Sequence, residues 1–222
     1  MPRDTSSPQQ RRFVRLIIGA GLVGALFMSL AMTNTFSAFV ATITNSNDTA
    51  AAGSLILQES GAAGTTPCNS TDGGGVSTNT ATCATFNKYG GSTTMVASNA
   101  TGTTNNIVTT VNFKNTGTLP ATAFNMAFGA CTQPTAPAGA GTATDFCTKL
   151  HVKVTSGATV VQADTVASAL AGTNVNLPAA LIPTANSGNT IPLTFTVYLD
   201  STAGNTYQGL SASQPITWTL TS

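Results

Sequence analysis

The sequence predicts an all-β fold, a jelly-roll or Ig-like β-sandwich with short helical insertions. Three observations predict it. Charged residues make up only 7% of the 222, against roughly a quarter in an ordinary soluble domain, and Thr, Ser and Asn supply the polarity instead. Thr is β-branched, and Asn and Gly accept turn geometry, so this composition favours strands and turns over helices. Short runs also alternate apolar and polar residues with period two, between clusters of Gly, Pro and Asn. No stretch has the length and 3.6-residue periodicity of a long helix.

The chain starts with an export signal, residues 1–37. Arg11, Arg12 and Arg15 precede the apolar run LIIGAGLVGALFMSLAM, which is shorter than the ~20 residues of a spanning helix and rich in Gly and Ala. Thr35 and Ser37 are the small residues that place cleavage between Ser37 and Ala38, with a cut after Ala38 as the alternative. A membrane contact is expected only through the uncleaved precursor, and the competing reading is an uncut N-terminal anchor. Residues 38–53 then form an extended tail and connector ahead of a domain over residues 54–222. In AFVATIT, residues 38–44, Phe39, Ala41 and Ile43 alternate with Val40, Thr42 and Thr44, the pattern of a strand with one apolar face.

Within the body, SLILQ (54–58) reads as the first strand, ending at Glu59-Ser60-Gly61. Residues 62–82 read as loop, residues 83–89 as a short strand, and residues 93–96 as another strand or a turn. NIVTTVNFKN (106–115) is the strongest strand pattern, with Ile107, Thr109, Val111 and Phe113 toward a core, and Asn115-Thr116-Gly117 is a turn signal. In ATAFNMAFGA (121–130), Phe124, Met126 and Phe128 share a face. Residues 150–155 and 159–163 flank Ser156-Gly157-Ala158 as a hairpin. DTVASAL (164–170) suggests one or two helical turns, capped by Asp164 or Thr165 and stopped by Gly172. Pro178 and Pro183 confine residues 177–182 to an edge or a loop. IPLTFTVYLD (191–200) and PITWTLT (215–221) are the last strands. Their inward residues are Leu193, Phe195, Val197 and Leu199, then Ile216, Trp218 and Leu220.

Four cysteines, Cys68, Cys83, Cys131 and Cys147, all follow the leader. Four allow three pairings, and the sequential one, Cys68–Cys83 with Cys131–Cys147, is the most economical. Each bridge closes a Gly/Thr-rich insertion, and closing a loop of ~15 residues removes roughly 3 kcal/mol of unfolded-chain entropy. A zinc site needs closer ligand pairs, and the chain's one histidine, His151, stands far from any C-x2-C pair.

Charge and motifs narrow the function. Beyond the leader, four lysines stand against six carboxylates, a net of −2, with no basic patch for nucleic acid. No HExxH or clustered metal ligands occur, the acidic residues are scattered, and no cofactor is expected. Gly73-Gly74-Gly75 lacks the strand–loop–helix context and the Lys of a phosphate loop. His151 and Asp164 with one of many serines can be written as a triad, but no nucleophile-elbow glycines accompany them, so the chain reads as no enzyme. Asn47, Asn69 and Asn99 are candidate glycosylation acceptors in Asn-x-Ser/Thr sequons.

TFSAF at the leader junction, AAGSLIL, the NTGTLPA turn and the C-terminal TFTVYLDSTAGNTYQGLSASQPITWTLTS together resemble the TasA/camelysin family of secreted fibre proteins. The order of these motifs along the chain carries the resemblance more than any one of them, and the two Cys-closed insertions lie outside it. It implies a jelly-roll-like sandwich that polymerises with itself after signal cleavage, in an extracellular biofilm matrix, with other matrix or cell-surface components as further partners. It also implies that the freed N-terminal segment becomes a strand in the next subunit. Phe39, Ala41 and Ile43 would then face a groove in that neighbour. Some members of the family are described as metalloproteases, which keeps a secreted hydrolase as a third reading. The second is a monomeric adhesin whose loops 68–83 and 131–147 contact a carbohydrate or host surface.

Overall fold

The computed structural model describes residues 49–61, 65–185 and 188–222. Among these residues nine strands form two antiparallel sheets. They are β1 (Leu57–Gly61), β2 (Cys68–Asn69), β3 (Ile107–Asn115), β4 (Ala123–Phe128), β5 (Leu150–Ser156), β6 (Thr159–Val166), β7 (Asn174–Asn176), β8 (Ile191–Leu199) and β9 (Ile216–Thr221). The larger sheet has six strands in the order β2-β1-β3-β8-β5-β6, and the smaller has three, β7-β4-β9.

The core lies between the sheets and follows the period-two patterns. Val111 and Phe113 of β3, Val152 and Val154 of β5, and Leu193, Phe195 and Val197 of β8 meet Phe124, Met126 and Phe128 of β4. The last seven of these named residues and the first three are all nearly inaccessible to solvent. Alternation thus put one face of each central strand inside, as expected of a sandwich. β5 and β6 form the expected hairpin, with Ser156 opposite Thr159 across a two-residue turn. Gly157 there has φ 54°, a left-handed value that a tight hairpin turn requires and that Gly adopts without strain.

The NTG signal after β3 has a specific cause. The Asn115 side chain is fully buried, accepts the Gly117 N–H at 3.0 Å and donates to the Leu119 carbonyl at 2.9 Å. An Asn bonding the backbone two residues on is a turn builder in its own right. The same turn receives the start of the domain: Ser54 N–H donates to Thr118 Oγ1 at 2.9 Å, and Leu119 N–H donates to the Ser54 carbonyl at 2.9 Å.

That anchoring corrects one expectation. The first strand is Leu57–Gly61 rather than 54–58, because the backbone of Ser54 and Ile56 bonds to the 116–119 turn, and pairing with β3 starts at Leu57 opposite Asn115. The strands expected over 83–89 and 93–96 do not form. That stretch makes turns and bends, and its nearest approach to a ladder is a single bridge from Ala97 to Leu199. Its large side chains reach the core without a neighbouring strand to pair its backbone. The helix expected over 164–170 is shorter: β6 runs on through Asp164 and Thr165 to Val166, and one helical turn covers Ala167–Leu170 without a side-chain cap. Pairing with β5 holds those residues extended, with His151 opposite Val166 and Val152 opposite Thr165. Residues 177–182 take the loop that the two prolines allowed. They hold the 3-10 turn Ala179–Leu181, and β7 ahead of them takes the edge position.

Candidate functional site

Three strands cannot cover six. Among the described residues β9 pairs with β4 alone, so its far edge is unpaired. The bond from Gly129 N–H to the Pro215 carbonyl (2.9 Å) sets the phase of the β4–β9 ladder. In an antiparallel ladder bonded and non-bonded pairs alternate. Thr217 and Thr219 therefore turn their backbone groups toward β4, and those of Ile216, Trp218 and Leu220 point to the open edge.

Beside that edge runs a groove of about 1170 Å³. Its floor carries Leu57 of β1, Phe113 of β3 and Val197 of β8, one wall is β9, and the other is the irregular stretch 79–95. Trp218 projects from β9 into the aromatic cluster beneath, 4.3 Å from Phe113, 5.7 Å from Phe124 and 6.3 Å from Phe195, measured between ring centroids. Its indole Nε1 is buried with no hydrogen-bond partner, an unsatisfied donor in a mostly apolar setting.

Glu59 also lines the groove, and only 6% of its surface is exposed. Alternation along β1 directs Leu57 and Glu59 to the same face. A carboxylate there needs a partner, and Lys88 supplies it in an ion pair in which both side chains are largely buried. Next to Lys88, the Tyr89 hydroxyl donates to Gln214 Oε1 at 2.5 Å, reaching across to the residues that lead into β9. Burial pushes the Tyr89 phenol well above its ordinary range, so it stays protonated and donating. Gln214 is itself held, because its Nε2 donates to the carbonyls of Gly129 (2.8 Å) and Ala167 (2.9 Å).

Both disulfides join cysteines in sequence order, Cys68 to Cys83 and Cys131 to Cys147. The loop 68–83 folds inward: Asn79 Nδ2 donates to the Leu55 carbonyl at 2.7 Å, and Ser70 Oγ donates to Asn79 Oδ1 at 2.5 Å. The loop 131–147 packs on the 204–209 turn, where Gly141 N–H donates to the Gln208 carbonyl (2.7 Å) and Tyr207 donates to Asp145 Oδ1 (2.7 Å). That last bond holds the Asp145 carboxyl below the ordinary carboxylate range and raises the Tyr207 phenol.

Ser37, Ala38, Phe39, Ala41, Ile43 and Asn47 lie outside the described residues. Asn69 sits in β2, its amide engaged with Gln58 (2.9 Å) and Asp72 (3.4 Å). Asn99 is exposed, but its Oδ1 accepts the N–H groups of Thr103 (2.8 Å) and Thr104 (3.3 Å), and its Nδ2 donates to Thr103 Oγ1 at 2.6 Å. Attaching a sugar at Nδ2 would replace one of the amide's N–H donors.

A second cluster stands on β5, β6 and β8. His151 stacks on Tyr198 with centroids 4.7 Å apart. Its Nδ1 lies 3.2 Å from both Asp164 Oδ1 and the Tyr198 hydroxyl, and its Nε2 lies 3.4 Å from Asp200 Oδ2. The Tyr198 hydroxyl also donates to Asp164. Burial first, then that bond, raises the Tyr198 phenol. Hydrogen bonds from Thr202 lower the Asp200 carboxyl. The structure therefore joins His151 and Asp164, as in a written-out triad, but the third partner is a tyrosine hydroxyl already given to Asp164. This arrangement ties three strands together, and among the described residues no serine is bonded to His151. Among the described residues no group of three or more His, Cys, Asp or Glu is placed to hold a metal ion.

A receiving groove was expected, but its place beside β9 and its walls were not legible in the sequence. AFVATIT suggested a strand to be given, but nothing in the linear pattern showed where one would be received. The available signal was the count of strong strand patterns and the absence of a further partner for PITWTLT. No protein-family model matches the chain, and no curated protein matches it at a significant level.

Proposed function

We propose that this protein is a secreted structural subunit of an extracellular filament, of the kind formed by the TasA/camelysin fibre proteins its motifs resemble, and that it works without catalytic chemistry. Signal cleavage frees the segment 38–44, which enters the groove of a second copy and pairs with the open edge of β9. One observation carries this reading: among the described residues, a strand edge without a partner borders a groove floored by Leu57, Phe113 and Val197, in a sandwich with three strands on one side and six on the other. An edge of that kind is a template for another strand, and an added strand gains main-chain hydrogen bonds together with pockets for alternate side chains.

The dimensions agree. β9 has six residues, roughly 20 Å at ~3.3 Å per residue, and AFVATIT has seven. Phe39, Ala41 and Ile43 supply an apolar face toward Phe113, Trp218 and Leu57, with Val40, Thr42 and Thr44 outward. Residues 45–52 form a polar connector long enough to leave one sandwich and reach the next. A contact in which each copy gives one surface and receives on another does not close on itself, so it propagates.

Deleting residues 38–44 tests this. The expected product is a folded monomer, where the secreted chain gives filaments under the electron microscope. Filaments from the deleted chain would sink the donated-strand reading. Monodisperse particles from the intact secreted chain would instead favour an adhesin acting through its disulfide-closed loops.

A further inference from the structure

The stretch from Ala84 to Val96 is hard to explain as a loop. It joins no two paired strands closely and forms no strand of its own, yet Phe86, Tyr89 and Met95 pack against the core. It forms the wall of the groove opposite β9. Its ends are fixed, by the Cys68–Cys83 disulfide on one side and the Ala97–Leu199 bridge on the other. Two polar contacts fasten its middle: Lys88 with Glu59 on the floor, and the Tyr89 hydroxyl with Gln214 at the foot of β9. Immediately after them come Gly90 and Gly91, with φ 77° and 64°, two consecutive left-handed positions at which the chain reverses.

The cover this stretch provides is incomplete. It places side chains beside β9 but gives no backbone ladder to the open edge, and the Trp218 indole N–H stays buried without an acceptor. A segment that shields apolar surface while leaving the polar groups beside it unsatisfied holds its place with less free energy than a paired strand would.

We propose that residues 84–96 are a displaceable strap along the groove, latched by the Tyr89 hydroxyl to Gln214 just ahead of β9, and that this wall must move outward before a strand from a second copy can pair along β9. This rests on the donated-strand reading and adds its control: the latch sets how readily an N-terminal segment of another copy gains the space beside β9. The disulfide confines the movement to the chain after Cys83, and Gly90-Gly91 lies within the part that moves, where the backbone bends most easily. Lys88 and Glu59 mark how far the strap opens. If Lys88 leaves with it, Glu59 is uncovered on the groove floor, so the favoured opening keeps that pair and releases Tyr89, with the chain beyond it.

The test uses a synthetic peptide of residues 38–50 and the chain lacking residues 38–44, which retains every described strand. Hydrogen exchange read by mass spectrometry is compared with and without peptide, for wild type and for Tyr89→Phe, which keeps the ring and removes the hydroxyl. The expected result is new protection over residues 216–220 together with faster exchange over 86–96. Tyr89→Phe should bind the peptide about fivefold faster, the equivalent of one ordinary net hydrogen bond of ~1 kcal/mol. Peptide binding with protection of β9 but unchanged exchange over 86–96, or equal rates for the two chains, overturns the strap and leaves the donated-strand reading standing. Absence of peptide binding, with no filaments from the intact secreted chain, overturns both.

Discussion

The two sides of this sandwich are built differently. On the β5–β8 side both strands are paired along both edges, the inward side chains are excluded from water, and polar groups bind elements together. Val152, Val154, Phe195 and Val197 are fully buried there, and His151, Asp164, Tyr198 and Asp200 link three strands outside the core. On the β1–β9 side the same kinds of residue are half-buried. Leu57, Phe86, Tyr89, Met95, Trp218 and Leu220 all touch the core without being sealed into it. A backbone edge lies open, and a carboxylate faces inward. The sealed packing sits on the first side, and the proposed recruitment of a strand would use the second. Binding elements are drawn from the less stable parts of a fold because they must rearrange.

The largest test of this contrast is a pair of truncations. Phe195→Ala should cost about 3–5 kcal/mol, the usual loss for a large aromatic in a sealed core. Phe86→Ala should cost on the order of 1–2 kcal/mol, because its ring is only partly removed from water. Denaturant midpoints measure both, and equal losses would mean that the two sides are packed alike.

Removing the disulfides sharpens the comparison. The bridges span 15 and 16 residues, so loop-closure entropy predicts nearly the same loss for each, about 3 kcal/mol. Their native-state effects should differ. Cys68→Ser with Cys83→Ser frees one end of the groove wall and should raise binding of a hydrophobic dye. Cys131→Ser with Cys147→Ser releases a loop packed on the 204–209 turn and should leave dye binding unchanged. The same dye response from both pairs would break the assignment of the first bridge to the groove.

Asn115→Ala probes the turn that both sides share. It removes two side-chain bonds to backbone groups in a buried position, and the expected cost is about 1–3 kcal/mol, read as a lower unfolding temperature with little change in dye binding.

Acid has the smallest effect. Asp145 and Asp200 have carboxyls held below their ordinary range by hydrogen bonds from Tyr207 and Thr202 respectively. A carboxyl whose pKa is lower folded than unfolded adds stability that is complete above its unfolded value. That stability is lost as pH falls through the folded value. The unfolding temperature should therefore be level near neutrality and decline below about pH 4, with a shallower decline in Asp200→Asn. An unchanged acid limb in that variant would remove Asp200 from the account.

Much of the fold was legible because its strongest strands obey a local rule. Period-two alternation in NIVTTVNFKN, ATAFNMAFGA and TFTVYLD determined which residues face inward, and the NTG and SGA turns were readable from residues that build turns by their own chemistry. The disulfide pairing followed from spacing. Placement of SLILQ failed by three residues because Ser54 and Ile56 bond to a turn 60 residues further on. Residues 83–89 were misread as a strand, as 93–96 were under one of their two readings, because apolar spacing marks side chains that reach a core and does not reveal whether a neighbouring backbone exists to pair with. Glu59 looked like the end of a strand, since only the arrival of Lys88 makes a buried carboxylate tolerable there.

By itself, then, the sequence determined the class of fold and the inward faces of its central strands, favoured the sequential cysteine pairing among three, and offered a candidate strand ahead of the domain. The tertiary structure decided that, among the described residues, the sheets hold six and three strands, β9 has an edge without a partner, and a distant segment forms the groove's other wall. The physical reason is that alternation is written within one strand, whereas an edge is defined by the strand that is missing beside it.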